Sequence, residues 1–325
     1  MKIVLKIISF TLGCFFILLM AIASNSKWMG RCEKYFPNPY RYGDLYLLSS
    51  MPGFRTNDDV AFVSPPRAKN NNITLTIIGD SYVEGFVPEN FSAGEYRFIP
   101  WGEIPHKIQP LDGSKRNILI LESTERNVRW RFISQDILSI GTNAPQEEES
   151  GSNVKLAAED NLQFMLTHLE WQLPFKEAKT KIYLDYFGKF STMVDKPDDS
   201  GRLYLNETVD TASGSSSFAR INDDEINRIV GWLNTECATL QAMGFDEVYV
   251  SFIPNSSSLY KKTSFPYNRL IERIEDNPQA QFKTIDVYKT FKTKKESLYQ
   301  INDSHWNGSG KEIWWAKVDS LLNKQ

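Results

Sequence analysis

Two short motifs near opposite ends of this 325-residue chain hold the residue types that acyl-transfer chemistry needs. Residues 79–81 read Gly-Asp-Ser, and residues 303–305 read Asp-Ser-His. An Asp two residues before a His can accept the imidazole Nδ1–H while Nε2 faces a serine hydroxyl. We therefore predict Ser81 as nucleophile, His305 as general base and Asp303 as the residue that orients the base. Helix-capping residues and a surface histidine would give the same short strings.

The elements around these motifs predict where they lie. Residues 72–79 form an apolar, β-rich run that ends at the Gly-Asp-Ser motif, and ligands bind at the carboxyl ends of parallel strands. A helix that begins at Ser81 would direct its free backbone N–H groups and its positive dipole end at developing negative charge. The second motif precedes glycines and an apolar helical segment, which predicts a loop at a helix start.

Strands and helices alternate along the rest of the chain. The patterns predict strands over residues 72–79, 117–122, 247–253 and 282–287. They predict helices over 104–108, 156–173, 221–243, 267–274 and 308–322, with long polar loops over 142–153 and 196–217. This alternation predicts an α/β, three-layer fold with a mostly parallel central sheet.

The N-terminus carries an export or membrane signal. Lys2 and Lys6 flank the start of an uncharged apolar run that ends at Ala23. Its length lies between those of a cleaved signal and a membrane span, so residues 1–24 are predicted to be either a signal anchor or a signal peptide. Residues 25–66 are predicted to form a juxtamembrane segment. The domain that follows is predicted to be periplasmic, either anchored in the inner membrane by one span or secreted.

Composition narrows the function classes. The formal net charge is −3 and no basic block occurs, which argues against a nucleic-acid partner. Three Cys and three His, without a ligand cluster, predict neither a metal nor a cofactor. In an oxidising compartment Cys32 and Cys237 could form a disulfide, or they could be separate thiols.

Together the two catalytic motifs resemble the SGNH (GDSL-type) hydrolase superfamily. In that superfamily the serine follows the first strand, and the Asp-His box precedes the final helix. The resemblance covers residues 70–322 in layout and is specific at the two ends. It implies a flavodoxin-like SGNH catalytic domain over residues 67–325. Residues 303–306, Asp-Ser-His-Trp, are also similar to the Asp-x-His-Trp box of the alginate O-acetyltransferases. There, however, that box precedes the Gly-Asp-Ser box.

The resemblance also implies an oxyanion hole and a substrate cleft. Asn127 follows the second predicted strand, where the superfamily places its oxyanion Asn, and Arg126 is its competitor. Gly102 is a candidate for the superfamily's oxyanion Gly, although a simple turn glycine explains it as well. Trp306 could stack on a sugar at the cleft rim, as Trp101 could, or it could fill the core beneath the last helix.

These expectations converge on acyl transfer through an acyl-serine. The acceptor is water in an esterase and a sugar hydroxyl in a transferase, and the triad alone does not distinguish them. Export and the Asp-x-His-Trp resemblance favour an extracytoplasmic O-acyltransferase that acts on a polysaccharide. The resemblance further implies a multispanning membrane acyltransferase as partner. A carbohydrate esterase of the same fold and a non-catalytic glycan-binding or assembly protein are the alternatives.

Overall fold

The computed structural model describes residues 2–25, 27–28, 38, 40–56, 61–65, 67–101, 112–132, 170–294 and 296–323. The chain divides into two compact units. The first unit comprises Met1–Tyr42, Ser50–Arg55 and Pro145–Phe190. The second unit comprises Gly43–Ser49, Thr56–Ala144 and Ser191–Gln325, and it contains both catalytic motifs.

Seven strands lie in the described part of the chain. They are β1 (Asn70–Gly79), β2 (Ala93–Pro100), β3 (Arg116–Thr124), β4 (Val194–Asp195), β5 (Tyr204–Leu205), β6 (Glu247–Ile253) and β7 (Lys283–Thr284). β4 and β5 form a two-stranded antiparallel pair. The other five strands form one sheet in the order β2-β1-β3-β6-β7, in which every neighbouring pair is parallel. The predicted α/β class with a mostly parallel central sheet is therefore confirmed.

The described helices vary from single turns to the long apolar N-terminal helix. The α-helices are Lys2–Ala23, Asp44–Ser49, Ser81–Glu84, Glu125–Arg131, Leu173–Phe187, Asp223–Ala242, Ser256–Tyr260, Leu270–Glu275, Tyr288–Thr293 and Gly308–Leu322. Short 3₁₀ turns occur at Pro88–Asn90, Glu170–Gln172 and Asn206–Thr208. The helix predicted over residues 221–243 is confirmed as Asp223–Ala242. The Asn222 side chain caps its start by accepting a hydrogen bond from the Glu225 N–H, and Gly244 follows its end at φ +109°.

Alternating strand residues build two apolar clusters, as expected when both faces of a parallel sheet are buried. Leu119 belongs to one cluster and its neighbour Ile120 to the other. The helix Asp223–Ala242 contributes to the Leu119 cluster, and the terminal helix Gly308–Leu322 contributes to the Ile120 cluster. This packing fixes the strand ends that carry the polar motifs.

Several elements differ from the sequence expectations. β2 was not predicted, because it lies at the sheet edge and its half-buried residues mix charged and aromatic types. The helix Leu173–Phe187 starts where a helix was expected to end, with Pro174 in its first turn, a position that proline tolerates. The expected helix over 104–108 and the loop over 142–153 lie outside the described residues, as does most of the expected helix over 156–173.

The helix Lys2–Ala23 is long and apolar enough to cross a membrane, judged by length and composition. Nearly all of its apolar side chains are exposed to solvent in the isolated chain. A signal sequence near an N-terminus has the same two properties. The run predicted to be an anchor or signal peptide is thus an apolar helix.

Candidate active site

The Gly-Asp-Ser segment lies directly at the carboxyl end of β1. Gly79 is the last strand residue, and a Cβ at this position would lie 2.8 Å from Glu122 Oε2 and 2.5 Å from Val83 Cγ2. Only glycine therefore fits without a shift of its neighbours. The chain then enters the one-turn helix Ser81–Glu84, with the Ser81 side chain exposed. A single turn has a much smaller dipole than a long helix, so the expected macrodipole contribution is reduced.

Ser81, His305 and Asp303 form a continuous hydrogen-bonded row. Ser81 Oγ lies 2.8 Å from His305 Nε2, and His305 Nδ1 lies 2.6 Å from Asp303 Oδ1. The imidazole is partly exposed while the Asp303 side chain is 13% exposed. A base within hydrogen-bond reach of a hydroxyl, itself oriented by a carboxylate, is the arrangement that activates a serine. The structure thus brings the three predicted catalytic residues together across 224 residues of sequence.

Asp303 is held by backbone donors as well as by the imidazole. Its Oδ1 accepts from the His305 N–H at 2.8 Å, and its Oδ2 accepts from the Asp44 N–H at 2.9 Å. Burial by itself raises the pKa of Asp303, but the hydrogen bonds and charge of His305 outweigh it, and the net pKa is lowered. The lowered pKa favours the ionised carboxylate, the form that accepts the hydrogen bond from the His305 Nδ1–H. Asn307, rather than Asp303, caps the terminal helix.

Asp44 is a site residue that the sequence did not reveal, because it lies 259 positions from Asp303. Its carboxylate accepts hydrogen bonds from the Ser304 N–H at 2.7 Å and from the Ser304 hydroxyl. Burial raises the pKa of Asp44, and the neighbouring Asp303 carboxylate raises it further. Gly43, at φ +85°, packs so closely that an added Cβ would lie 2.3 Å from the Asn302 carbonyl oxygen. The Gly43–Asp44 segment thus packs against residues 302–304 and holds the loop that carries His305.

Asp80 does not cap the helix that follows it, since its side chain makes no capping hydrogen bond. Arg131 instead donates to both of its oxygens, at 2.8 Å and 2.7 Å. The Thr124 N–H at 3.0 Å, the Thr124 hydroxyl and the Asn127 amide at 3.1 Å donate to the same carboxylate. Burial raises the pKa of Asp80, but these bonds and the Arg131 charge lower it overall. Asp80 therefore ties the nucleophile segment to β3 and its following helix.

Glu122 lies beneath this segment and is completely buried. Its Oε2 accepts the Asp80 N–H at 2.6 Å, while its Oε1 has no hydrogen-bond partner among the described residues. Burial raises the pKa of Glu122 well above its ordinary range, and the nearby Asp80 charge raises it further. In the sequence residue 122 is the last residue of the strand predicted over 117–122, and no local pattern there indicates a buried carboxyl.

The two predicted oxyanion residues lie beside the nucleophile segment. Asn127 donates one amide hydrogen to Asp80. The Arg126 guanidinium carbon lies 5.7 Å from the centre of the Tyr82 ring, and its Nε lies 3.9 Å from a Glu207 carboxylate oxygen. Both side chains are partly exposed, so both belong to the site surface. Gly102, the third candidate, lies outside the described residues, as does Cys32 of the possible disulfide. Cys237 is buried.

Trp306 does not line a cleft, so its predicted role in sugar stacking is corrected. Its side chain is fully buried, with the ring 5.5 Å from Tyr82 and 6.2 Å from Trp314, and its indole N–H donates to the Tyr82 carbonyl. The alternative, a core residue beneath the last helix, is what the structure shows. Trp101 is likewise buried, and its indole N–H donates to the Glu122 carbonyl at 2.6 Å.

Asp44, Asp303 and His305 also have ligand atoms within 4.8 Å of one another, a spacing that a metal site would use. Two of these atoms are already bonded to each other, since His305 Nδ1 and Asp303 Oδ1 form the triad contact. The hydrogen bonds within the triad and from Ser304 account for the cluster. We therefore assign no metal to it.

A scan against protein-family models finds no match, and searches of curated proteins and of solved structures find none. The fold and the site themselves define the class. This is an α/β chain with a parallel five-stranded sheet that carries a Ser-His-Asp arrangement at its carboxyl edge.

Proposed function

We propose that this chain is an extracytoplasmic O-acyltransferase of SGNH type that transfers acyl groups, most simply acetyl, to a polysaccharide. One observation carries the proposal: Ser81 Oγ, His305 and Asp303 form a hydrogen-bonded triad at a strand end. The exposed serine lies at one end of this row, next to a base that a carboxylate orients.

The location of the site supports the three-layer, flavodoxin-like SGNH fold. When the five strands of the large sheet are renumbered 1 to 5 in chain order, their spatial order is 2-1-3-4-5. Flavodoxin-like doubly wound sheets have this order. The order reverses between β1 and β3, and ligands bind at such reversals, at the carboxyl ends of the strands. Ser81 follows β1, and Asn127 follows β3. The proposed nucleophile and oxyanion donor therefore flank the expected ligand crevice.

The proposed reaction runs in two halves. Ser81 Oγ attacks the carbonyl carbon of an ester donor, and His305 Nε2 takes the hydroxyl proton. The imidazolium, stabilised by Asp303, then gives this proton to the departing alcohol, which leaves acyl-Ser81. In the second half the acceptor hydroxyl loses its proton to His305, attacks the acyl carbon and releases Ser81, which regains its proton. Asp303 stays ionised throughout, in keeping with its lowered pKa.

Each tetrahedral intermediate needs donors for its oxyanion. The Ser81 backbone N–H is one proposed donor. The second is the Asn127 amide, which carries two hydrogens and gives one of them to Asp80. Asp80 thereby fixes the orientation of Asn127. Arg126 is the competing donor, since its guanidinium lies beside Tyr82.

The proposed transferase and its main alternative, a carbohydrate esterase, differ in the molecule that accepts the acyl group. The apolar N-terminal helix supports an exported chain, either anchored in the inner membrane or released to the periplasm. In such a system a multispanning membrane acyltransferase would supply the acyl donor. One finding favours the esterase: both tryptophans proposed to stack on an acceptor sugar are buried, so they provide no acceptor platform.

A serine-directed fluorophosphonate tests the proposed nucleophile. We expect the full chain to be labelled at Ser81, and Ser81→Ala to lose the label. Ser320→Ala is the matched control, because Ser320 is an exposed serine on the terminal helix, and it should keep the label. Labelling of another serine in the Ser81→Ala protein would contradict the triad assignment.

Acetylated products decide between transfer and hydrolysis. Incubation of the full chain with a small acetyl ester and an oligosaccharide should give acetylated sugar, detected by mass, faster than free acetate forms without acceptor. Rapid hydrolysis with no acetylated sugar, together with removal of acetyl groups from acetylated glycans, would assign the esterase. Absence of both products together with absence of the Ser81 label would leave the non-catalytic glycan-binding role.

A further inference from the structure

The helix Leu173–Phe187 presents an apolar face to the outside. At 3.6 residues per turn, Phe175, Ala178, Ile182 and Tyr186 lie along one stripe of this helix, and all four are exposed. Phe175 is 70% exposed and Tyr186 is 80% exposed. Trp171, in the 3₁₀ turn before the helix, is 64% exposed. The surface helix of a soluble protein normally shows the reverse pattern, with polar residues outward.

The opposite face of the same helix contacts the protein. Leu173, Thr180 and Leu184 lie there and are buried or half-buried. Glu177 lies on this face too, and its carboxylate is 3.3 Å from Arg55 Nε. The helix is therefore already packed through one side, and the exposed stripe is a second, separate surface. We call this second surface the apolar stripe; it consists of Trp171, Phe175, Ala178, Ile182 and Tyr186.

Positively charged residues beside the apolar stripe would favour contact with an anionic surface. Lys179 lies beside it, with its ammonium 5.6 Å from the Tyr183 ring centre, and Lys189 follows the end of the helix. The acidic residues nearby are paired: Asp185 lies 2.8 Å from Lys181 Nζ, and Glu177 pairs with Arg55. Aromatic residues with flanking lysines are the composition of helices that lie in a membrane interface.

The helix is also tied to the segment that follows the apolar N-terminal helix. Glu170, in the turn before the helix, pairs with Arg41 and accepts the Tyr42 hydroxyl at 3.0 Å. These residues and the helix Lys2–Ala23 belong to the same compact unit. When residues 2–23 are inserted in a bilayer, the apolar stripe therefore belongs to the unit that carries the inserted helix.

We propose that the helix Leu173–Phe187 lies flat on a bilayer that contains anionic lipid, with the apolar stripe inserted among the headgroups and first acyl carbons. Such a helix buries one apolar face in the interface while its lysines contact lipid phosphates. Together with the N-terminal helix it gives the chain two membrane contacts, and the second one restricts the orientation of the unit that contains it.

Photoactivatable lipid tests this contact directly. The full chain is reconstituted in vesicles of phosphatidylcholine and phosphatidylglycerol that carry a trace of phosphatidylcholine with a diazirine on its acyl chain. After illumination, lipid adducts are mapped by mass spectrometry. We expect adducts in residues 2–23 and also in residues 171–187. Omission of phosphatidylglycerol, or Lys179→Gln, should reduce the adducts in 171–187 several-fold without changing those in 2–23.

Matched variants keep the proposal falsifiable. Phe175→Glu with Ile182→Glu should remove the adducts from residues 171–187 and leave those in 2–23. Phe265→Glu, at an exposed aromatic residue of the other unit, should change neither. Circular dichroism checks that each variant keeps its helix content. Adducts in 2–23 without any in 171–187 would overturn the proposal.

Discussion

Replacing Arg131 with Met should destabilise the unit that contains the central sheet by about 3 kcal/mol. Arg131 donates two charge-assisted hydrogen bonds to Asp80, and their side chains are 5% and 14% exposed. Without the guanidinium the buried carboxylate would keep only the donors from Thr124 and Asn127. Breaking a buried pair by removing one partner costs about 3–5 kcal/mol, and the residual exposure of Asp80 places this site near the lower end.

The pH dependence of this loss has a defined sign. The folded-state pKa of Asp80 is lowered: burial alone raises it, but Arg131, Thr124 and Asn127 together outweigh burial. The stability that this carboxylate contributes is thus present above its unfolded pKa and is lost as the pH falls through its folded pKa. In Arg131→Met the lowering by Arg131 is absent and the Asp80 pKa rises. We therefore expect the difference between wild type and variant to be largest at neutral pH and to narrow below about pH 4.

Urea unfolding followed by circular dichroism, in a detergent that solubilises the apolar helix, measures this difference. Arg131→Lys should give an intermediate loss, because lysine keeps the charge without the paired guanidinium geometry. Arg97→Met is the matched control, since Arg97 is 33% exposed and pairs with the exposed Glu95, and it should cost less than about 1 kcal/mol. Equal losses for the two Met variants, or a loss independent of pH, would refute the reasoning.

Three further substitutions follow from the same contacts. Gly79→Ala should destabilise by about 1–3 kcal/mol, measured by urea unfolding, whereas Gly85→Ala, which has open space around its Cβ position, should be nearly neutral. Asp44→Ala should lower kcat for a model acetyl ester, and Asp44→Asn should restore part of it, since an amide oxygen can still accept from Ser304. Equal losses would show that acceptance of the Ser304 hydrogen bonds is not what Asp44 contributes. Trp306→Ala should lower the free energy of unfolding by about 3–5 kcal/mol and should reduce acyl transfer and hydrolysis equally, because the side chain is buried. A loss of transfer without an equal loss of hydrolysis would show that Trp306 contacts the acceptor sugar.

Local patterns in the sequence were sufficient for the elements that carry the triad. The apolar, β-rich run before Gly79 and the apolar segment from Gly308 predict a strand and a helix, and both elements are present. Gly-Asp-Ser accordingly lies at a strand end, and Asp-Ser-His lies before a helix start. The pairing of Ser81 with His305 was predicted from residue types, and the folded chain places their side chains 2.8 Å apart.

Contacts between distant segments were decided only by the tertiary structure. In the sequence Asp44 lies within the predicted juxtamembrane segment, and Arg131 lies in a stretch for which no element is predicted. Their partners lie 259 and 51 residues away, and no local periodicity encodes such a distance. Packing of β1 against β3 brings Arg131 under Asp80, and the close fit allowed by Gly43 brings Asp44 against Asp303.

Burial was the other property that the sequence left open. An aromatic residue next to a catalytic base suits a sugar platform and a core equally well, because both use the same apolar surface. The packing of the terminal helix decides that Trp306 is core. Conversely, residues 171–187 carry apolar side chains that could have faced inward, and the packing of Leu173 and Leu184 turns Phe175 and Tyr186 outward. Sequence determines which surfaces are apolar, whereas the tertiary fold determines which of them are covered.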